Sequence, residues 1–113
     1  MSDVQLEANW FDNQLCCPKC GGNNLHHNSV TDYYRTEDDA AVRVTTVDGN
    51  ELSSSIMPNK TSGNPSGRRS GIVIDFWCEN CHGEINDAAP EYTEYFKLQI
   101  RQHKGTTYLD WDF

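Results

Sequence analysis

Two Cys-x-x-Cys pairs are the strongest constraint on what this 113-residue chain can fold into. They are Cys17-Pro-Lys-Cys20 and Cys78-Glu-Asn-Cys81, and a glycine-containing reversal follows each pair. Two such knuckles supply four thiolates, which is the ligand set of a closed tetrahedral zinc site. The sequence therefore predicts one structural Zn2+ bound by Cys17, Cys20, Cys78 and Cys81.

The two knuckles are separated by residues 21–77, which is longer than the middle segment of about 15–20 residues in compact zinc sites of this type. Loop-closure entropy grows only with the logarithm of loop length, so tripling the loop costs about 1 kcal/mol. Structural zinc contributes on the order of 10–16 kcal/mol in peptide systems. The long separation is therefore compatible with a shared metal.

Other interpretations of the cysteines and histidines are weaker. Cys16 would need a three-residue spacing to Cys20, so we interpret it as a small buried residue beneath the knuckle. His26 and His27 can replace a cysteine or bind a second metal, or can be ordinary polar residues at a strand edge. The Cys78–His82 segment also matches the c-type haem pattern, but haem attachment would leave Cys17 and Cys20 without a role. A thioredoxin-like pair would need a strand–helix context, which neither knuckle has.

Composition limits the location and the partners. The mean hydropathy is -0.74 and no apolar run reaches membrane-spanning length, so we expect no membrane association. The acidic N-terminal segment lacks the apolar region of a signal peptide, which predicts a cytoplasmic location and reduced cysteines. The net charge of -8 opposes nucleic-acid binding over most of the surface. Residues 53–74 are the exception, because they contain Lys60, Arg68 and Arg69 and no acidic residue.

The residue pattern predicts a mostly β, antiparallel fold. Residues 28–36 and 40–47 are rich in β-branched and aromatic residues and flank an acidic turn at 37–39. Residues 72–77 form a third strand that runs into Cys78. Residues 94–101 and 106–113 alternate apolar and polar positions around His103-Lys104-Gly105, which indicates a hairpin with one buried face.

Two segments lack such patterns. Residues 1–14 are predicted to be a flexible arm, and residues 15–113 a single domain. Within that domain, residues 50–70 are rich in Ser, Asn, Pro and Gly, which predicts a long loop with mobility or a binding role. The sequence contains no G-x-S-x-G, H-E-x-x-H or P-loop motif, so we predict no catalytic residues and no enzyme activity.

The chain resembles a zinc ribbon. The residues that carry the resemblance are the two knuckles and the strands beside the second one. Segments 64–69, 72–81 and 102–106 are also similar to small uncharacterised bacterial and phage zinc-ribbon proteins. The resemblance implies a zinc-ribbon-like sheet with an inserted hairpin and a long loop between the knuckles. It is specific for metal and not for function, because ribbons serve transcription, translation, replication and scaffolding.

Two functions are expected from these observations. The first is a non-enzymatic, phage-like or mobile-element-related protein-interaction module, whose partner contacts the acidic strands or exposed tyrosines, since tyrosine is enriched at interfaces. The tyrosines in question are Tyr33, Tyr34, Tyr92, Tyr95 and Tyr108. The alternative is nucleic-acid binding through Lys60, Arg68 and Arg69, assisted by Arg43, Arg101 or Lys104. Three cations in one loop attract nucleic acid only weakly on so acidic a chain. We therefore rank interaction with another protein above nucleic-acid binding.

Overall fold

The computed structural model describes residues 2–3, 6–8, 13–79 and 95–112. Within these ranges the chain forms short and long strands and one helical turn: β1 Ser2–Asp3, β2 Leu6–Ala8, β3 Asn13–Leu15, β4 Leu25–Tyr34, β5 Ala41–Asp48, β6 Glu51–Pro58, α1 Asn59–Ser62, β7 Gly71–Cys78, β8 Phe96–His103 and β9 Thr106–Asp112. None of the described residues belongs to an apolar helix of membrane-spanning length.

Seven of these strands form one sheet in the order β1-β9-β8-β7-β4-β5-β6, and β2 pairs with β3 separately. Every pairing in both sheets is antiparallel. The predicted mostly β, antiparallel fold class is therefore confirmed. The order places β7, which ends in Cys78, in the middle of the sheet and β6 at one edge.

The strands with a clear sequence pattern occur where they were predicted. The segments 28–36 and 40–47 correspond to β4 and β5, which pair in register from Val30↔Val47 to Tyr34↔Arg43. The predicted C-terminal hairpin is β8–β9. Its turn residues Lys104 and Gly105 have φ of 51° and 77°, as a two-residue turn matched to the strand twist requires.

The predicted loop over 50–70 is wrong for its first part. Residues 51–58 form β6, which pairs with β5 over its whole length, and α1 follows it directly. The three consecutive serines at 53–55 carry no alternating pattern, so the sequence gives no strand signal there. The strand forms because the two-residue turn after Asp48 returns the chain against β5, whose Val and Thr residues favour sheet. Residues 63–70 are irregular, as predicted.

The predicted flexible arm over 1–14 also differs from the structure where its residues are described. Ser2–Asp3 pairs with β9 through Ser2↔Trp111, and β2 pairs with β3 through Leu6↔Leu15. Backbone hydrogen bonds to the edge of a sheet need no apolar alternation, which is why the residue pattern does not reveal these short strands.

The described core is divided between the two faces of the large sheet. One cluster packs Phe96, Leu98 and Trp111 against Cys17 and Cys78 on the face that the first knuckle covers. Trp111 is enclosed edge-to-face by Phe96, with ring centroids 5.3 Å apart. This cluster positions the cysteines.

The second cluster consists of Tyr33, Val42 and Val73, with Val44 and Met57 packed against it. The β4–β5–β6 register places these side chains on the opposite face of the sheet from the first cluster. The segment from α1 to residue 70 covers this second cluster, since a Cβ on Gly63 would lie 3.2 Å from the Tyr33 hydroxyl.

Candidate functional site

The first knuckle, Cys17-Pro-Lys-Cys20, is a turn built around its two sulfurs. The backbone N–H of Lys19 donates to the Cys17 Sγ, and the N–H of Gly22 donates to the Cys20 Sγ, both at 3.4 Å. The Cys17 N–H closes the turn on the Gly22 carbonyl at 2.7 Å. The reversal needs the positive φ of 77° at Gly21, a conformation that glycine adopts without strain.

Cys78 reaches the knuckle from the other end of the sequence because β7 pairs with β4. Leu25, just after the knuckle, lies opposite Cys78 in the register, and the Glu79 N–H donates to the Asn24 carbonyl at 3.1 Å. Cys78 is fully buried against the first core cluster. The β4–β7 pairing therefore places this sulfur beside the first knuckle.

The ligand atoms of Cys17, Cys20 and Cys78 all lie within 4.8 Å of one another. The Cys20 and Cys78 sulfurs are 3.7 Å apart. Four sulfurs at about 2.3 Å from a tetrahedral zinc are about 3.8 Å apart, whereas a disulfide holds its sulfurs at about 2.05 Å. The three cysteines are thus placed to bind a metal ion. The fourth predicted ligand, Cys81, falls outside the described residues.

The neighbouring candidate ligands have other roles. Cys16 is buried and its Sγ donates to the Gln14 carbonyl at 3.6 Å, and among the described residues it is not one of the clustered sulfurs. The His26 ring stacks on Trp77 with centroids 4.3 Å apart and an interplanar angle of 12°. Its Nε2 lies 2.9 Å from the Glu79 Oε1. His26 thus lies on the β4–β7 strand pair beside the cysteines. Among the described residues it is not part of the cysteine cluster.

The predicted basic segment lies against the acidic turn. Arg68 Nη2 lies 3.1 Å from both the Glu37 and the Asp38 carboxylates, and Arg69 Nη2 lies 2.8 Å from Glu37. The Asp38 N–H also donates to the Arg68 carbonyl at 2.8 Å. Lys60 lies apart from this group, exposed on α1. Two of the three predicted contact residues therefore face carboxylates of their own chain.

These ion pairs change the acid–base behaviour of the turn. The hydrogen bond from Arg68, with its charge and those of Arg35 and Arg69, lowers the pKa of Asp38 below its ordinary value. The same hydrogen bond, which stabilises the charged guanidinium, raises the pKa of Arg68. Both side chains are exposed at the surface, so this ion pair contributes little to the free energy of unfolding.

The irregular segment 63–70 is fixed on the sheet by polar contacts. Ser66 is buried, and its hydroxyl donates to the Gln102 carbonyl at 2.6 Å while accepting from the Arg69 N–H at 3.0 Å. The Asn64 amide donates to the Arg69 carbonyl at 2.9 Å. These contacts hold the segment beside β7 and β8. The mobility predicted for it stays a prediction.

The predicted tyrosine surface is only partly exposed. Tyr33 is buried in the second core cluster, which corrects its prediction as a surface residue, and burial with a smaller effect of Asp75 raises its pKa. Tyr34 is exposed and carries the Arg43 guanidinium 5.0 Å from its ring centroid. Tyr108 is exposed under Arg101 in the same way, at 4.8 Å. Tyr95 is exposed, and Tyr92 falls outside the described residues.

An apolar patch, which the sequence did not indicate, covers one face of the sheet at the β6 edge. Its members Tyr34, Val47, Leu52 and Ile56 are 58%, 46%, 71% and 69% exposed. The pairs Tyr34↔Arg43↔Ile56 and Val47↔Leu52 put all four side chains on the same face of β4, β5 and β6. The second core cluster and α1 occupy the opposite face, and the first knuckle covers this face only beside the first core cluster, so the four side chains on β4, β5 and β6 stay exposed among the described residues.

Comparisons with protein-family models, with curated proteins and with solved structures found no match for this chain.

Proposed function

We propose that this chain is a non-enzymatic zinc protein whose single Zn2+ is structural and whose sheet surface binds another protein. Cys17, Cys20, Cys78 and Cys81 are the proposed ligands. The separation of the Cys17, Cys20 and Cys78 sulfurs supports the first three ligands, as does the position of the cluster at the end of the first core, where a bound metal would join the knuckle to the sheet. Cys81 is assigned from its spacing to Cys78. Four thiolates complete the tetrahedron and leave no position for a catalytic water. The zinc-ribbon resemblance agrees with the same ligand set.

The observation that carries the interaction role is the apolar patch of Tyr34, Val47, Leu52 and Ile56. Isolated exposed apolar side chains are ordinary, but four on a single sheet face favour an interaction surface. They form two groups, Val47 with Leu52 and Tyr34 with Ile56, on either side of the polar row Asp32, Thr45 and Ser54. An arginine stacked on the tyrosine adds a residue type that is enriched in interface cores. The patch thus combines the chemistry of a protein-binding surface with a rigid sheet beneath it.

The nucleic-acid alternative is less well supported. It depends on Lys60, Arg68 and Arg69, and the two arginines are engaged with Glu37 and Asp38. A phosphate would have to displace those carboxylates, and the net charge of -8 opposes its approach. We therefore retain protein binding as the proposed role.

The test is affinity capture from cells that contain the protein, with variants that remove the patch. Tyr34→Ser/Val47→Thr deletes two patch residues outside β6. Tyr108→Ser/Leu109→Thr is the matched control, since Tyr108 also lies under an arginine and Leu109 has the same 46% exposure as Val47. We expect a protein captured by the wild type and the control to be lost with the patch variant. Equal capture by all three would refute the proposed surface.

A further inference from the structure

The outer edge of strand β6 has few of the features that protect an exposed strand edge. It pairs regularly with β5 from Asp48↔Glu51 to Ala41↔Pro58, and no described residue pairs with its other side. Proteins usually protect such edges with lysines, prolines, bulges or short strands. β6 is eight residues long, contains one charged residue, Glu51, and has its only proline at the last position. Its edge is therefore open to pairing with another strand.

The turn before β6 determines which of its backbone groups point outward. Gly49 and Asn50 form a two-residue turn, with Gly49 at a φ of 61°, the glycine position of a type II′ hairpin. The pair that closes such a turn, Asp48↔Glu51, exchanges both hydrogen bonds, and hydrogen-bonded pairs then alternate along the ladder. The N–H and C=O groups of Leu52, Ser54 and Ile56 consequently point away from β5.

We propose that this edge pairs with the same edge of a second copy of the chain, antiparallel and about a two-fold axis at Ser54. The inference rests on the proposed interaction role of this surface and names its partner. In this register Ser54 faces Ser54 of the second copy, and Leu52 faces Ile56. All three outward-pointing residues then form hydrogen-bonded pairs, which gives about six new backbone hydrogen bonds.

The side chains agree with this register. The sequence Leu52-Ser-Ser-Ser-Ile56 is symmetric in polarity about Ser54, so an apolar side chain meets an apolar one on the patch face. Glu51 lies opposite Met57, so no two like charges face each other. Because a two-fold interface uses the same surface on both copies, such self-complementarity is what it requires. The joined sheets would carry the exposed apolar side chains of both copies on the same face.

Charge favours this edge over the other one. Two chains with a net charge of -8 repel each other, so self-association needs a neutral contact surface. The opposite end of the sheet is β1, two residues long and ending in Asp3, next to β9 with Asp110 and Asp112. β6 is the less acidic edge, because Glu51 is its one charged residue. Raising the salt concentration should therefore tighten the dimer by screening the repulsion between the two bodies.

The experiment measures the mass of the zinc-loaded full-length protein by sedimentation velocity from about 1 to 500 μM, a range that suits a small interface. Amide hydrogen exchange by NMR at both ends of the range supplies a positional readout. We expect a monomer–dimer equilibrium in which the amides of Leu52, Ser54 and Ile56 gain protection in the dimer. The amides of Ser53 and Ser55, already bonded to β5, should not change. A dimer without this alternating protection would overturn the proposal.

Ser54→Lys tests the two-fold axis, because it places two lysines opposite each other while leaving an exposed position in the monomer. We expect it to weaken dimerisation at least about tenfold, since like charges directly opposite destabilise strand pairs. Thr106→Lys makes the same charge change on β9 and should leave dimerisation unchanged, and the chemical-shift spectrum verifies that both variants fold. A wild-type protein that stays monomeric, a dimer indifferent to Ser54→Lys, or a dimer weakened by salt would each refute the proposal. Partner capture through Tyr34 and Val47 would still stand in those cases, because that test leaves β6 unchanged.

Discussion

The guanidinium of Arg69 lies 2.8 Å from the carboxylate of Glu37, although 32 positions separate the two residues in the sequence. Arg68 extends the contact to Asp38. The acidic turn between β4 and β5 and the basic end of the 63–70 segment are thus two halves of one ion-pair cluster. Because the cluster neutralises itself, the segment that appears basic in the sequence presents little unpaired positive charge.

Removing the carboxylates should therefore raise the nucleic-acid affinity above that of the wild type. In Glu37→Gln/Asp38→Asn, Arg68 and Arg69 become available to phosphate. We expect the variant to bind a duplex oligonucleotide at low salt. Its plot of log K against log salt should be steeper than that of the wild type by about 1.8, the value for two additional phosphate contacts. Fluorescence anisotropy at several salt concentrations measures it.

The control for that experiment is Asp48→Asn/Glu51→Gln, which changes the net charge by the same amount at the β5–β6 turn. It should bind no better than the wild type. If the control gains as much affinity as the test variant, net charge and not arginine release is responsible. Wild-type binding that Arg68→Ala/Arg69→Ala abolishes would instead restore the nucleic-acid alternative.

The same cluster predicts a pH dependence. The pKa of Asp38 is lower in the folded chain than in the unfolded chain, chiefly through the hydrogen bond from Arg68. The pairing therefore favours the folded state above about pH 4 and is lost as the pH falls through the folded pKa. Carboxyl-detected NMR should show the Asp38 midpoint rising in Arg68→Ala. Arg43→Ala, which removes an ion pair with Asp32, should leave it unchanged. An unchanged midpoint in Arg68→Ala would contradict the assignment.

The sequence reveals the parts of this structure that depend on local pattern. Period-two alternation identifies β8 and β9, and cysteine spacing predicts that Cys17, Cys20 and Cys78 lie close together, as they do in the structure. It does not reveal β6, because three serines have no apolar alternation. Nor does it show which of Tyr33 and Tyr34 is buried. Adjacent strand residues point to opposite faces, and only the long-range packing of the 63–70 segment decides which face is covered.

The packing of that segment yields a prediction for Gly71. A Cβ at this buried position would lie 2.6 Å from Pro65 Cγ and 2.8 Å from Asn64 Oδ1. Gly71→Ala should therefore displace residues 64–66 and destabilise the fold by about 1–3 kcal/mol, the usual cost of overpacking. Gly67→Ala is the control, since nothing lies within 4 Å of its Cβ. Urea unfolding measures both, and equal stability of the two variants would contradict the described packing.

The cysteines allow the sharpest test of the metal centre, because the chain contains its own control. Cys78→Ser and Cys81→Ser each remove a proposed ligand, whereas Cys16→Ser changes a buried cysteine whose sulfur is not among the clustered ones. We expect one zinc per chain in the wild type and in Cys16→Ser, and less than one in the other two. Because structural zinc contributes on the order of 10–16 kcal/mol in peptides and whole domains are stable by about 5–15 kcal/mol, losing the metal should unfold the chain. Elemental analysis and near-ultraviolet circular dichroism, with and without a chelator, measure both effects. Full zinc occupancy and a native spectrum in Cys81→Ser would show that the fourth ligand is a different group.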